Sequence, residues 1–425
     1  MSDPSPAAEA ELAVAPSTGL GGRWAGRDAA TLARLATIIV FMTHGLVFAS
    51  WTAQIPLVKS NLGLTDAELG LALFGAPIGS IVAMLATSAL LPRLGSRRMV
   101  QICLTGYCAT AWTVGVAANG PQLFLALMLW GVFLGSLDVC MNGQAVFVER
   151  AVGRPIMSSF HGLWSVGAFI GVGIGALCVA LGVPLAAQLA TLGLVAFVVA
   201  GSATRRMLSD PPHDHATGPK PSAARAWRNP VVLLLGAVML AALLCEGAAA
   251  DWSAVYLHDS VGTSPAFAAL GYMAFSVTMV VGRLSGDRLL ARFAPRTLLA
   301  TLALVATIGM SLALLIGGPV ISLVGFAALG VGIALVVPAA FTAGGRLDGV
   351  HPGAAVAVIS SVGFVGFVMG PPLIGHLADA VGLGVALALL PILTAVIAIV
   401  VRSNHAFTPG PAPATPSPAP GPTAA

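Results

Sequence analysis

Ala49-Ser50-Trp51-Thr52-Ala53 returns 201 residues later as Ala250-Asp251-Trp252-Ser253-Ala254. The stretches downstream of it repeat as well: Ala67-Glu68-Leu69-Gly70 has its counterpart in Ala268-Ala269-Leu270-Gly271 at the same offset, and Arg93-Leu94-Gly95-Ser96-Arg97 in Arg292-Phe293-Ala294-Pro295-Arg296 at an offset of 199. Three matches in register mark a duplicated unit of roughly two hundred residues. Each copy is mostly apolar. Of 425 residues, 57% are hydrophobic and 8% charged, about a third of the charged share of a soluble domain. An ordinary soluble enzyme is thereby excluded, and the glycines lie inside apolar runs, where helices packed in lipid use small residues. Spans of about 20 residues are expected at 33–54, 67–91, 98–118, 122–147, 157–180, 184–203, 229–250, 266–287, 297–317, 319–341, 354–376 and 382–401. The expected fold is an all-α membrane protein, twelve transmembrane helices in two pseudo-symmetric six-helix bundles.

The domain division is then a disordered cytoplasmic tail at 1–32, one bundle at 33–203, a cytoplasmic linker at 204–228, the second bundle at 229–402 and a disordered cytoplasmic tail at 403–425. Nineteen of the twenty Lys and Arg residues fall on one side of these spans and only Lys59 on the other, a positive-inside bias that puts both termini in the cytoplasm of a multi-pass inner-membrane protein. The net charge of +4 is spread singly and in pairs between apolar runs, so nucleic acid is not an expected partner. The first apolar stretch begins near Leu35 without a cleavage site and reads as a retained first helix. The five cysteines sit in apolar runs without metal-ligand spacing, and His213 and His215 read as solvated linker residues. No cofactor and no metal are expected.

Acids and histidines inside spans each need an explanation, because an Asp at a helix centre costs about 2.5–3.5 kcal/mol on insertion. Asp138 shares a stripe with Gly131, Gly135, Asn142 and Glu149, at spacings of three and four, which reads as a cavity-lining face of helix 4. A carboxyl there exchanges a proton when its surroundings alternate between wet and dry; the plainer reading is a hydrogen bond to a neighbouring helix. Glu246, placed near the outer part of helix 7, stands opposite Gly45 in the repeat, beside His44, so His44 and Glu246 are expected to flank one cavity as a second proton-carrying pair, or else Glu246 pairs at the outer mouth. His161 reads as a substrate or inner-mouth residue, with a bond to Glu149 or Arg150 as the alternative. Asn142, Trp51, Gln54 and Trp252 complete the candidate substrate set, the tryptophans being equally suited to an interfacial belt. Gly370-Pro371-Pro372 is expected to break or bend helix 11.

Around these residues the sequence resembles the major facilitator superfamily over residues 31–402. Gly282-Arg283-Leu284-Ser285-Gly286-Asp287-Arg288 matches its loop motif, a glycine followed by an aspartate and basic residues. The first copy, Pro92-Arg93-Leu94-Gly95-Ser96-Arg97-Arg98, keeps the basic half and has Pro92 in place of the aspartate. Ile55-Pro56-x-x-Lys59, Asp138-x-x-x-Asn142 and Ser158-Ser159-Phe160-His161-Gly162 are similar to the bacterial branch near the fucose permeases. The resemblance implies a cytoplasmic gate built on Arg93, Arg97, Arg98, Glu149, Arg150, Asp287 and Arg288, and a proton-carrying acid at Asp138. The acid that fucose permeases carry in helix 1 has no counterpart here, where the chain reads Ser50-Trp51-Thr52-Ala53-Gln54. The expected activity is secondary active transport of a small polar organic solute, a sugar or metabolite, by a proton-coupled monomer; efflux of drugs or hydrophobic metabolites is the alternative. An ATP-driven pump lacks its Gly-Lys-Ser/Thr loop, and no hydrolase motif points to a membrane enzyme.

Overall fold

A computed structural model describes residues 20–153, 156–209, 223–347, 349–350 and 352–407. Its twelve apolar helices are α1 (Ala29–Thr52), α2 (Asp66–Ala83), α3 (Ser96–Val116), α4 (Gly120–Val152), α5 (Ser159–Ala180), α6 (Leu185–Thr204), α7 (Pro230–Ser260), α8 (Pro265–Gly286), α9 (Pro295–Ile316), α10 (Pro319–Gly345), α11 (Ala354–Val381) and α12 (Leu383–Ser403). Each overlaps one expected span. Pro at the first turn or an Asn cap opens several of them, as Asn119 does for α4 through Gln122 N and Asn229 for α7 through Val231 N and Val232 N, satisfying amides that a helix start leaves unpaired.

The duplication read in sequence reappears as duplicated packing. In each half the first helix lies on the fifth (α1 on α5, α7 on α11), the second on the fourth (α2 on α4, α8 on α10) and the third on the fourth and sixth (α3 on α4 and α6, α9 on α10 and α12). Glycine sets the closest of these seams. Gly167, Gly171 and Gly175 on α5 stand against the carbonyls of Met42, Leu46 and Ser50 on α1, and Gly366 on α11 against that of Leu240 on α7, so close that no Cβ fits. In lipid no hydrophobic effect draws helices together, and dispersion gained by such backbone approach takes its place.

The halves touch along two further seams, α2 with α11 and α5 with α8. On the first, Gly70 meets the Pro371 carbonyl and Gly375 meets that of Asp66. Contact is concentrated on the opening turns of α2, Asp66–Leu73, and thins along Gly75–Leu94. The α2–α11 seam is therefore shut at the end that carries the connections α1–α2 and α7–α8 and parts toward the end that carries the termini, where α5 and α8 stay in touch at Gly162 and Leu284.

Three local expectations differ. The first helix starts at Leu20, ahead of the span expected from 33, while 1–19 lie outside the described residues. The seventh does not stop at 250: it runs to Ser260 and finishes in a π turn, Tyr256–Ser260, which puts Asp251 inside the span and Glu246 at mid-helix. Helix 11 is not broken at its prolines but continues from Pro352 to Val381 through Pro371 and Pro372. The linker histidines, His213 and His215, fall outside the described residues.

Candidate functional site

Asp138 sits halfway along α4, half-buried, and its one side-chain partner among the described residues is on its own helix: Asn142 Nδ2 donates to the Asp138 carbonyl at 2.8 Å and to Oδ1 at 3.3 Å. The spacing of four puts both on one face of the helix, and the bond runs along that face rather than to a neighbouring helix. The rest of the stripe has another task. Gly131 and Gly135 press against Ala76 and Ser80 of α2, and Ser80 Oγ donates to the Gly131 carbonyl at 2.9 Å, so the stripe is a helix seam at its start and presents its carboxyl only beyond it.

In the second half Glu246 is bound to Arg283 of α8, whose Nη2 lies 3.2 and 3.4 Å from the two carboxylate oxygens. Both side chains keep about a quarter of their surface exposed, 21% and 27%. One nitrogen makes the whole contact, leaving the rest of the guanidinium fork open. In sequence Arg283 counts among the basic residues around the end of the expected span 266–287, as part of the motif Gly282–Arg288. The structure sets it inside the helix, within electrostatic range of His161 on α5 across the seam between the halves. His161 also meets Phe41 edge-on, with ring centroids 5.5 Å apart, and among the described residues makes no hydrogen bond or ion pair with Glu149 or Arg150.

His44 and Glu246 do not form the expected pair. Trp164 Nε1 donates to His44 Nδ1 at 2.8 Å, the Leu134 carbonyl lies 3.4 Å from Nε2, and Tyr107 stacks on the ring at 5.1 Å while its hydroxyl donates to the His44 carbonyl. A ring nitrogen that accepts from indole carries no proton, so this imidazole is neutral with its hydrogen on Nε2. The residue is a buried hub that joins α1, α3, α4 and α5. Trp130 extends the stack, 5.5 Å from Tyr107.

Other candidates are likewise absorbed by packing. Gln54 donates to Gln188 Oε1 at 3.0 Å and to the Val183 carbonyl, while Gln188 donates to the Ser50 carbonyl, a closed network at the start of α6. Trp51 and Trp252 are 2% and 0% exposed, so neither forms an interfacial belt nor offers a ring face to open space. Glu149 accepts from the amides of Ile156 and Met157, both at 2.7 Å, and thereby caps the approach to α5. Among the described residues Arg93, Arg97, Arg98, Arg150 and Arg288 have no ion pair; the Asp287 side chain, the acid on which the expected gate turns, lies outside them.

Two groups escape a reading of the sequence. Asp251, half-buried in α7 where the first copy has Ser50, has no hydrogen bond or ion pair among the described residues; it is visible in the repeat, but a span boundary at 250 excludes it. The second is an ionic clasp at the shut end. Lys59, on the short helix Ile55–Leu62, places Nζ 2.5 Å from Asp66 Oδ1 of α2 and 2.6 Å from Asp259 Oδ2 of α7. Burial opposes the charge of this ammonium, yet the bonds and fields of Asp259 and Asp66 outweigh it and hold its pKa above the ordinary lysine value. The π turn aims Asp259 at the clasp, a use such turns often have.

The profile of the Major Facilitator Superfamily matches residues 35–351. An uncharacterized MFS-type transporter of Yersinia pestis is 35% identical over 373 residues, 87% of this chain and 95% of its own length. The membrane protein MosC of Rhizobium meliloti is 32% identical over 357 residues, 83% of this chain and 85% of its own. Among solved structures, a variant of the nucleoside transporter NupG superposes with a TM-score of 0.73 at 13% identity, covering 87% of this chain and 98% of that one. The fucose:proton symporter FucP of E. coli superposes with 0.59 at 18%, covering 87% and 97%.

Proposed function

The chain belongs to the Major Facilitator Superfamily, and from that premise we propose that it is a secondary active transporter carrying a small polar organic solute, a sugar or metabolite, by alternating access with proton coupling. The observation that carries the reading is Asp138: a carboxyl at mid-helix whose one side-chain partner among the described residues is an amide on the same helix. Such a group is stable as a charge only while water reaches it, and as a neutral acid when the site closes. Binding and release of a proton are therefore tied to which end is open. The Glu246–Arg283 pair, partly exposed on the opposite half, supplies hydrogen-bonding groups for hydroxyls or amides of a solute held between the halves. Solved proteins of this fold include a nucleoside transporter and a fucose:proton symporter, whose named cargoes are polar and hydroxyl-bearing.

The orientation is part of the proposal. Leaving out Arg283, which pairs inside its span, eighteen Lys and Arg residues fall by sequence position on the side of the termini and Lys59 alone at the clasped end, so the termini and linker face the cytoplasm and the clasp faces outward. The bundles at 33–203 and 229–402 then act as the two moving bodies, joined by the linker at 204–228, and the conformation described is closed to the outside.

A thermal-shift screen of purified protein against sugars and polar metabolites identifies a solute; proteoliposomes with an imposed pH gradient then test the coupling. Accumulation driven by inward protons supports the reading. Accumulation in the opposite sense, with hits confined to hydrophobic cations, replaces it with proton-driven efflux, and gradient-independent equilibration removes proton coupling.

A further inference from the structure

Two apolar grooves run along either side of α6 at the end of the molecule that carries the termini. One, of about 490 Å³, lies between α1 and α6; Leu35, Ile39, Val198 and Val199 line it, and Ser202 and Arg206 close its end. The other, of about 350 Å³, lies between α3 and α6, shares Val198 and Ser202 with the first, and ends at Arg205. Leu35 and Val198 are 52% and 58% exposed, an exposure that only hydrocarbon tolerates along a membrane span. The two grooves are thus the two flanks of one ridge, each open to the acyl region and each capped by an arginine just past the last turn of the helix.

The cap is a cluster of cations. Arg97 Nη2 donates to the Arg205 carbonyl at 2.7 Å, which satisfies an acceptor at the end of α6 and fixes a third guanidinium at that helix end. Among the described residues none of the three is paired with a carboxylate. Three arginines with unspent donors at headgroup depth, above slots of hydrocarbon width, are complementary to one kind of occupant. We propose that this corner binds an anionic glycerophospholipid, its phosphate held by Arg97, Arg205 and Arg206 and its two acyl chains straddling α6. Arginine suits the task because its planar fork binds phosphate oxygens in pairs, and basic corners beside membrane helices attract acidic headgroups. The site is separate from Asp138 and from the Glu246–Arg283 pair, and it rests only on the chain being a membrane protein. A lipid bridging α1, α3 and α6 would fasten the outer helices of the first bundle to one another.

Native mass spectrometry of the full chain, delipidated and titrated with phosphatidylglycerol or phosphatidylcholine, tests this. The expected result is a retained phosphatidylglycerol adduct whose affinity falls about thirtyfold in the Arg205→Ala/Arg206→Ala double variant, is unchanged in Arg292→Ala, and falls in Val198→Trp, which sets a bulky ring on the wall the two grooves share and leaves every arginine in place. Equal retention of phosphatidylcholine, or full retention by the double variant, overturns the proposal. Inorganic phosphate raising the melting temperature as much as phosphatidylglycerol does would also overturn it, by assigning the corner to a free anion. Should the double variant not fold, the Val198→Trp comparison decides alone.

Discussion

Lys59 and Asp259 lie 200 residues apart in the chain and 2.6 Å apart in space, and the bond between them crosses from one six-helix half to the other. Asp66 holds the same ammonium from the side of the first half. Beneath this clasp the backbones of α2 and α11 touch at Gly70 and Gly375, so the end closes by ionic contact and by packing together.

Removing the ammonium should therefore loosen that end. Lys59→Gln is expected to lengthen and broaden the distance between spin labels at Asn61 and Ser260, while the α-helical spectrum is unchanged. Raising the pH should act in the same direction. Because the folded pKa of Lys59 stands above its ordinary value, the clasp contributes fully below about 10.4 and fails only as the pH rises through the higher folded value. An unaltered distance distribution in Lys59→Gln would show that the glycine seam alone keeps the end shut.

Asp138→Asn is expected to abolish accumulation driven by a pH gradient and to spare exchange of labelled for unlabelled solute across proteoliposomes, since the amide keeps the hydrogen bond to Asn142 but cannot carry a proton. If accumulation persists, Asp138 is a structural residue and the coupling group lies elsewhere, with Asp251 the next to test.

For Glu246 and Arg283, removal of one partner leaves a lone charge at mid-membrane. Arg283→Gln alone should destabilise by about 1–3 kcal/mol, and Arg283→Gln with Glu246→Gln should recover most of the loss. Thermal unfolding of the three variants gives the coupling energy. Strict additivity would mean that the contact contributes nothing.

Gly171→Val tests the seam between α1 and α5. A side chain there meets the Leu46 carbonyl, which belongs to a helix and cannot move aside alone, so the variant is expected to lose about 1–3 kcal/mol of stability through overpacking. Gly153→Ala has no neighbour to strike, but its φ of 71° makes it strained for a different reason, and its cost should be that of backbone conformation alone, about 1 kcal/mol.

The path of the chain was legible from hydropathy, charge placement and the repeat, because each of these is a property of single helices in a slab of fixed thickness. Partnership was not. Asp138 with Asn142 was predictable, since both lie on one helix at a spacing of four. Glu246 with Arg283, and His44 with Trp164, depend on how helices are rotated against each other, and nothing in the spacing of either helix records that rotation. Gln54 shows the converse: a residue of the right chemistry, one turn from the repeated Trp51, whose amide is consumed by Gln188 from a helix more than a hundred residues away. Asp251 was hidden by a smaller matter, a boundary drawn ten residues before the helix actually ends.

The glycine seams have a consequence for how such a chain changes over evolutionary time. Where α1 lies on α5, and at Gly366 where α11 meets α7, the closest contact is made by backbone, and side-chain identity does not enter into it there. The stiffness of each half is therefore insulated from the residues that meet a cargo, and those residues are free to drift. A lineage can exchange one cargo for another by altering a handful of side chains, and the mechanical frame it inherits goes on working as before.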